Sequence, residues 1–339
     1  MLVVRPVQPD DLDQLFELSK QTTFGLTTLP TDRDFLAKRI DDSVHGFARI
    51  SDRPRGEAYL FVAEDTETKR IAGTCGVVAK VGGFEPFYAY RIERSVHESK
   101  TLGVRKEVRA LHLIEEHNGP CEIGSLFLSP DYRGGGNGRM LSLVRFLFMA
   151  DHQDHFDPDV IAEMRGVIDE NGRSSFWDAL GKHFFDLEFP KADYLSILNK
   201  EFIGELMPRH PIYVPLLPHD AQRAIGHVHQ NTTPALRVLE SEGFRFNDMV
   251  DIFEAGPIVS CQLKDIRTIR ESVRDQVSGI VDSIESVPYL ISNTLRDYRG
   301  CQGMVESDSE GVKITPDVAD ALKLKIGDPI RVVTAKPAG

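Results

Sequence analysis

The sequence predicts an α/β fold of the α+β kind, in which a mixed sheet with flanking helices is followed by a small β-rich C-terminal module. Two observations predict it. Up to residue 256, short apolar runs of strand length alternate with segments of helical spacing. After Gly256-Pro257 the composition changes, and short strand signals surround one short helix. We therefore expect a first domain over residues 1–256, with an elaboration at 190–256, and a module over residues 257–339.

The first half of the predicted domain begins with a strand and two helices. Pro9-Asp10-Asp11 precedes apolar residues at helical spacing, as at the start of a capped helix. The predicted elements are, in order, a strand at 2–5, a helix from Pro9, a helix through Phe35, Leu36 and Ile40, a hairpin at 59–63 and 71–78, and a less regular stretch at 82–119.

The second half is predicted to alternate strands with helices, and the tail to carry two strands. Proline at a helix start and glycine at its stop delimit the helix between Pro234 and Gly243. The predicted elements are a strand at 121–128, a helix at 140–149, a strand at 160–168, a capped helix from Ser174, a strand at 212–217, the helix from Pro234, strands at Phe244 and 251–254, tail strands at 288–291 and 330–333, and a tail helix at 316–322.

Composition excludes several classes of protein. The chain has 339 residues, 41% of them hydrophobic, and a net charge of −12, which argues against nucleic acid or an anionic membrane as the main partner. No apolar run reaches the length of a membrane span. The four cysteines are scattered, without metal-ligand spacing. We expect a cytoplasmic protein with no metal and no permanently bound cofactor.

The stretch with the clearest chemical meaning is Arg133-Gly134-Gly135-Gly136-Asn137-Gly138. It follows the apolar strand pattern and precedes the helix pattern that begins near Met140. Glycines let backbone N–H groups approach a phosphate, and a helix N-terminus adds unpaired donors and a partial positive charge. The order of strand, glycine loop and helix predicts a site for the phosphates of a cofactor or co-substrate.

Three kinds of phosphate loop compete for this stretch. A Walker A loop fails because the stretch ends Asn137-Gly138-Arg139 and lacks Gly-Lys-Ser/Thr. A dinucleotide loop fails because the glycines are spaced wrongly and lie deep in the chain. The pattern Arg/Gln-x-x-Gly-x-Gly/Ala fits at Arg133, Gly136 and Gly138. It resembles the acyl-CoA pyrophosphate loop of the GNAT (GCN5-related N-acetyltransferase) superfamily, and the order of elements resembles that superfamily's fold. This resemblance implies that strands 121–128 and 160–168 splay apart to admit pantetheine.

Longer strings resemble one family, the arginine N-succinyltransferases of bacterial arginine catabolism. The strings are Gly25-Leu26-Thr27-Thr28-Leu29-Pro30, Ser125-Leu126-Phe127-Leu128, Ala162-Glu163-Met164-Arg165-Gly166, Phe176-Trp177-Asp178-Ala179-Leu180-Gly181, Glu205-Leu206-Met207-Pro208-Arg209-His210-Pro211-Ile212-Tyr213, Val228-His229, Pro234-Ala235, Glu242-Gly243-Phe244 and Val250-Asp251-Ile252-Phe253. The resemblance implies that succinyl-CoA, as co-substrate, and L-arginine give N2-succinyl-L-arginine and CoA. The intact glycine loop resembles that of the catalytic type of subunit.

The resemblance also implies roles for single residues. It makes His229 the proton donor to the leaving thiolate, since histidine titrates near neutral pH. It makes Leu126 a CoA contact, with Arg133 and residues Gly134 to Gly138, including Asn137, around the phosphates. Relatives often have proline where this chain has Gln230.

Glu163 and Arg165 share one strand face at i, i+2. They are either an ion pair within the protein, or a pair in which Glu163 meets the substrate cation and Arg165 a carboxylate. Three further residues or segments have weaker signals. Glu122 is a candidate for a base, Gly25–Pro30 is a candidate for lining the arginine pocket, and Trp177 is expected in the core.

Three functions stay open from the sequence. The first is the arginine N-succinyltransferase reaction, and the second is a related N-acyltransferase with another acyl-CoA or amine, such as ornithine. The third is a silent partner subunit that binds acyl-CoA or arginine. The small-molecule partners predicted are L-arginine and succinyl-CoA, with assembly into a homo-oligomer or with a related subunit.

Overall fold

The computed structural model describes residues 1–22, 28–49, 53–295 and 297–337. Strands and helices alternate along the chain. The strands are β1 (Leu2–Pro6), β2 (Ala58–Asp65), β3 (Ile71–Val78), β4 (Phe87–Ser99), β5 (Val104–Glu116), β6 (Cys121–Leu128), β7 (Asp159–Glu163), β8 (Ile212–Tyr213), β9 (Arg245–Val250), β10 (Pro257–Gln262), β11 (Val273–Ile280), β12 (Pro288–Asn293), β13 (Gly300–Asp308), β14 (Gly311–Ile314) and β15 (Pro329–Thr334).

The helices lie mostly between these strands. They are α1 (Leu12–Ser19), α2 (Arg33–Ala48), α3 (Asn137–Asp151), α4 (Ser175–Ala179), α5 (Lys182–Phe185), α6 (Phe189–Leu198), α7 (Glu201–Leu206), α8 (His219–Ala224), α9 (Thr233–Ser241), α10 (Arg267–Glu271) and α11 (Pro316–Leu322). Three-residue 3₁₀ turns at 9–11, 130–132, 153–155, 214–216 and 263–265 join some of them. The predicted fold class, a mixed sheet with flanking helices and a β-rich tail, is confirmed.

The strands form one continuous mixed sheet. Its order is β12-β15-β11-β14-β13-β1-β2-β3-β6-β7-β10-β9-β4-β5-β8. The pair β6–β7 is parallel, whereas the flanking pairs β3–β6 and β7–β10 are antiparallel. The sheet therefore places β6 and β7, and whatever binds between them, near its centre.

The two central strands separate soon after they begin. Cys121 pairs with Val160 and Glu122 with Ile161, and the pairing between β6 and β7 ends there. The strand predicted at 160–168 ends at Glu163, so its predicted length was wrong. Beyond it the chain bends to meet two loops, because Gly166 pairs with Val228 and approaches Gly256 closely. The open wedge between β6 and β7 leaves backbone polar groups available to a ligand.

Helix α3 lies between the central sheet and the tail. All residues from Met140 to Ala150 are buried, including Arg145. The helix packs against β3 and β6 on one side and β12 and β13 on another. A helix that is apolar all round is buried all round, which explains the nearly continuous apolar run of its sequence.

The tail closes on itself as a small barrel. Strands β12, β15, β11, β14 and β13 pair in sequence, and β12 also pairs with β13. Its own apolar core includes Val277, Ile291 and Ile330, and β13 joins the main sheet through β1. The domain boundary predicted after Gly256 would assign β10 to the tail, although β10 pairs with β7 and β9 of the main sheet. Strand pairing favours a boundary after α10.

Three stretches differ from the sequence prediction. The stretch predicted as less regular contains a hairpin of two 13-residue strands, β4 and β5. Its far half has both faces in solvent, so the alternation of apolar and polar residues that marks a strand is missing there. Residues 251–254, predicted as a strand, form a turn, and of the strand predicted at 212–217 only 212–213 is a strand, since 214–216 is a 3₁₀ turn. Among the described residues, no helix is both long and apolar enough to cross a membrane.

Candidate active site

The glycine loop joins β6 to α3 and is exposed. Gly134, Gly135 and Gly136 have φ values of 126°, 56° and 88°, a region that side chains with a Cβ rarely enter. The Asn137 side-chain amide donates to the Tyr132 carbonyl at 2.9 Å, and its backbone N–H donates to the Gly134 carbonyl at 3.0 Å. The next N–H groups of α3 have no intrahelical partner and are free to bind an anion.

Arg133 lies at the junction of β6 and this loop. Its Nε donates to the Leu128 carbonyl at 3.2 Å, and its side chain is exposed. The guanidinium thus adds positive charge beside the loop, as a phosphate group requires.

A bulge shapes β6 where it leaves β7. Thr74 pairs with Phe127 and Gly76 with Gly124, so Ser125 and Leu126 together oppose one residue of β3. Ser125 has a φ of 54°. The Thr74 hydroxyl donates to its carbonyl at 2.8 Å. Leu126 is half-buried against the main core, on the part of β6 that no longer pairs with β7.

Buried Arg145 fixes this bulge from the α3 side. Its guanidinium donates to the carbonyls of Gly76 and Gly124, each at 2.9 Å. The two carbonyls belong to paired residues of β3 and β6 at one end of the bulge. A charged group that is fully buried and hydrogen-bonded in this way makes the local backbone geometry costly to change.

Three chain segments cross beside the end of β7. The backbone N–H of His229 donates to the Arg165 carbonyl at 2.8 Å. The Gly166 N–H donates to the Glu254 carboxylate at 2.7 Å. A Cβ on Gly166 would meet the Gly256 nitrogen at 2.7 Å, so only glycine fits. The crossing brings His229, Arg165 and Glu254 to one place although they are distant in sequence.

The hydrogen bonds of the His229 ring define its neutral tautomer. Its Nδ1 accepts the backbone N–H of Asn231 at 3.2 Å. The neutral ring therefore carries its proton on Nε2, the nitrogen that remains to face a substrate. Burial, and then the Arg165 charge, hold the pKa of His229 below its usual value.

Five carboxylates gather in and around the wedge. Each one either acts on the pKa of another member or is acted on by one, and the group extends from β6 to the turn after β9. They are Glu122, Glu163, Asp193, Asp251 and Glu254. Glu163 keeps access to solvent although protein atoms surround it on several sides, as at the floor of a cleft. Glu254 is buried, and its Oε2 has no hydrogen-bond partner among the described residues.

Burial raises the pKa of every member of this group, and for three of them neighbouring carboxylates raise it further. For Glu163 the causes are burial and then the charges of Glu122 and Asp251, which hold its pKa well above the usual value. Burial and Asp251 likewise raise the pKa of Asp193, to about 7. Like charges in a poorly solvated site disfavour full ionisation.

Three basic groups lie among these acids. Glu254 and Asp193 act on Arg165, and Glu122 acts on Arg39, while the charge of Lys200 acts on Glu122 and Glu163. Five acids against three basic groups leave the cleft short of positive charge. A cationic ligand would supply it.

Comparison with known proteins assigns this fold and site to a family. The sequence model of the "Arginine N-succinyltransferase beta subunit" matches residues 2–268, and that of its C-terminal domain matches residues 273–334. The arginine N-succinyltransferase of Yersinia pseudotuberculosis is 42% identical, with 98% of each chain covered. The enzyme of the same name from Citrobacter koseri is also 42% identical, covering 98% of this chain and 97% of its own.

The chain belongs to the arginine N-succinyltransferase family.

A solved member of the family has the same architecture. The arginine/ornithine succinyltransferase subunit AI from Pseudomonas aeruginosa superposes with a TM-score of 0.90 at 34% identity, and 99% of each chain is covered. The likeness therefore extends through the C-terminal barrel, beyond the stretch where the sequence strings are distinctive.

The structure brings most of the predicted site residues of this family member together. Glu122, Glu163, Arg165 and His229 surround the wedge, while Leu126, Arg133 and the glycine loop line its β6 side. Glu122, Asp251, Glu254 and Lys200 supply the charges that act on Glu163. Glu254 and Asp193 supply those that act on Arg165. Trp177 is fully buried in a core, as expected. Of the predicted pocket Gly25–Pro30, residues 25–27 lie outside the described residues.

Sequence reasoning missed Arg39, Asp193, Lys200, Asp251 and Glu254. Asp251 and Glu254 sit in a stretch that resembles a strand, yet the Asp251 side chain accepts the N–H groups of Phe253 and Glu254 at 2.8 and 2.7 Å and forms a turn. Asp193 lies in α6 and Lys200 immediately precedes α7, two short helices with weak sequence signals. For these missed residues, the signal in the sequence was limited to charged residues that flank apolar ones.

A cysteine also lies beside the site. Cys121 precedes Glu122 at the start of β6 and is fully buried. Burial raises the pKa of its thiol well above the usual value. It is held as the thiol, and the thiolate is the form that attacks a thioester.

Proposed function

We propose that this protein transfers the succinyl group of succinyl-CoA to the α-amine of L-arginine, giving N2-succinyl-L-arginine and CoA. The observation that carries the proposal is the excess of carboxylates in the wedge between β6 and β7, next to the glycine loop. A phosphate-binding glycine loop suits a CoA thioester, and a neighbouring site that lacks positive charge suits an amino acid with two cationic groups. Membership of the arginine N-succinyltransferase family supports the same pair of substrates.

The CoA moiety would lie along β6. The N–H groups of Gly134 to Gly138 and the start of α3 would bind the pyrophosphate, with Arg133 adding charge and Asn137 holding the loop shape. Pantetheine would follow the unpaired edge of β6 near Leu126, so that the thioester arrives at the bulge. Backbone at an open strand edge provides both donors and acceptors for this purpose.

L-Arginine would lie among the carboxylates. Asp193, Asp251 and Glu254 would face the guanidinium, since planar guanidinium groups match carboxylates. Glu163 would meet the α-ammonium at the solvent-accessible floor of the cleft, and Arg165 the α-carboxylate. The unpaired buried oxygen of Glu254 would then have a donor.

The reaction would be direct. The α-ammonium loses one proton to Glu163, whose raised pKa makes it a usable base near neutral pH. The amine nitrogen attacks the thioester carbon, the C–S bond breaks, and the imidazolium form of His229 gives the proton of Nε2 to the thiolate. As the amide forms, the nitrogen loses its second proton to the neutral ring, so His229 ends protonated again and Glu163 holds the one proton that the reaction releases. A buried, protonated Cys121 fits a mechanism without an acyl-enzyme.

A thiol-release assay tests the proposal. The purified chain should release free thiol from succinyl-CoA only when L-arginine is present, and mass spectrometry should find N2-succinylarginine. Ornithine, lysine and acetyl-CoA are the comparison substrates. Equal or faster release with acetyl-CoA would favour the related N-acyltransferase. No release without an added second subunit would favour the partner-subunit function.

Oligomerisation is a separate part of the proposal. We propose that two or more copies of the chain associate through the far half of the β4–β5 hairpin, where Val96, Leu102 and Val104 are exposed. An isolated two-stranded ribbon is marginally stable in water, so a partner surface would stabilise it. Light scattering should show a multimer for the wild type and a smaller particle when residues 96–107 are replaced by a tight turn. A wild-type monomer, or a shortened variant of unchanged mass, would contradict this.

A further inference from the structure

Arg39 reaches from α2 to the bulge of β6. Its guanidinium donates to the Ser125 hydroxyl and to the Thr28 carbonyl. Ser125 immediately precedes Leu126, on the part of β6 that has left β7. Arg39 thus brings a positive charge to the place where the thioester would sit.

A small cavity opens beside this guanidinium. It is lined by α2, β2, β3 and β6, through Arg39, Tyr59, Gly76, Glu122, Gly124 and Ser125 among others. Gly76 and Gly124 contribute no side chain, so room remains between Arg39 and the strand. Among the described residues that line this cavity, Arg39 is the single Lys or Arg.

The contacts of Arg39 leave its charge uncompensated. Both of its hydrogen-bond partners are neutral groups, and among the described residues it forms no ion pair within 4 Å. Burial lowers the pKa of its guanidinium to about 10, against the attraction of Glu122. Arg39 is half-buried, and a partly desolvated cation without a paired anion is costly; an anionic ligand removes that cost.

We propose that Arg39 binds the distal carboxylate of the succinyl group and thereby selects succinyl-CoA over acetyl-CoA. The inference rests on the proposed function, because it places the acyl chain at the bulge. An arginine fork binds a carboxylate through two parallel hydrogen bonds. The methyl group of acetyl-CoA would leave the same guanidinium without an anion, so the site would discriminate against it.

The other two basic groups of the cleft are less suited to this role. Lys200 acts on two acids, Glu122 and Glu163, and Arg165 is influenced by Glu254 and Asp193. Glu122 also borders the cavity, and burial raises its pKa. In the free protein the charge of Glu122 acts on Glu163; once the acyl donor binds, Glu122 would take up a proton and donate a hydrogen bond to the succinyl carboxylate.

Binding and turnover together test the assignment. Calorimetry would measure CoA, acetyl-CoA and an uncleavable thioether analogue of succinyl-CoA with the wild type, Arg39→Met, Arg39→Lys and the matched control Lys200→Met. We expect Arg39→Met to weaken the succinyl analogue by about a hundredfold, with CoA affinity unchanged. Arg39→Lys should restore part of the loss, and Lys200→Met should keep the wild-type preference for the succinyl analogue over acetyl-CoA.

The result distinguishes this inference from the proposed function. If Arg39→Met keeps the wild-type preference, or Lys200→Met loses it, the assignment of Arg39 is overturned whatever the wild type catalyses. If the wild type binds the succinyl analogue through Arg39 but releases no thiol with arginine, the inference stands and the proposed acceptor is wrong. Unchanged CoA affinity shows that each variant is folded.

Discussion

The backbone N–H of His229 donates a hydrogen bond of 2.8 Å to the carbonyl of Arg165. This bond fixes the loop before α9 against the segment that follows β7. The proposed proton donor and a charge of the proposed arginine site are therefore neighbours through the backbone. A movement of either segment would change both the acid and the acceptor pocket.

This neighbourhood predicts the titration of His229. Burial and the Arg165 charge lower the pKa of the imidazole, so the ring takes up its proton at a pH below the usual value. Removing the charge in Arg165→Gln should raise that pKa, and Arg165→Lys, which keeps the charge, should leave it nearly unchanged. Nuclear magnetic resonance titration of the His229 ring measures it. An equal pKa in the Gln and Lys variants would refute the influence of Arg165.

His229→Ala tests the role of the histidine itself. Loss of a general acid costs about 10²–10⁴-fold in rate, and binding of succinyl-CoA should change little because the loop is untouched. Turnover of succinyl-CoA with arginine and calorimetric affinity for CoA give the two values. His227→Ala is the matched control, since His227 is exposed and two residues away. Full turnover by the His229 variant would exclude it as the donor.

The sequence predicts the parts of this site that depend on local pattern. The glycine loop has positive φ at three successive residues, and the sequence has glycine at each of them, namely Gly134, Gly135 and Gly136. The placement of Glu254 against Gly166 depends instead on a turn at Asp251 and on two backbones in contact, 88 residues apart. No periodicity encodes such a contact. The same holds for Arg39, which reaches Ser125 across 86 residues.

The carboxylates of the cleft predict the direction in which the pH dependence of kcat/KM for arginine shifts in two variants. Burial and then the Glu122 and Asp251 charges raise the pKa of Glu163, while Lys200 lowers it. A base with a raised pKa loses activity as the pH falls through that pKa. Glu122→Gln should move the acidic limb of kcat/KM for arginine to lower pH, and Lys200→Met should move it to higher pH. A limb that stays in place in both variants would remove Glu163 from the base role.

A buried ion pair connects Glu242, the residue after α9, to Arg267 of α10. It predicts a loss of stability when one partner is removed. The Glu242 carboxylate accepts Arg267 Nε and one terminal nitrogen at 3.0 and 2.8 Å, and the Thr268 N–H at 2.8 Å. Both side chains are almost fully buried. Arg267→Met should cost about 3–5 kcal/mol in the free energy of unfolding, because it leaves a buried charge unpaired. The double variant with Glu242→Gln should recover much of it, and urea unfolding measures both. A single variant as stable as wild type would contradict this.

Two glycines of the loop form a matched pair for the last prediction. Gly134 has a φ of 126°, and a Cβ there would meet no atom within 4 Å, so Gly134→Ala costs only backbone conformation. Gly138 lies in the first turn of α3, with ordinary helical backbone and equally open space. Alanine favours a helix over glycine by about 0.5–1 kcal/mol.

We expect Gly134→Ala to raise the KM for succinyl-CoA by about tenfold or more, because the loop leaves the shape that a pyrophosphate needs. Gly138→Ala should keep the KM and slightly raise the unfolding free energy. Equal KM values in the two variants would show that the φ of Gly134 is not what forms the phosphate site.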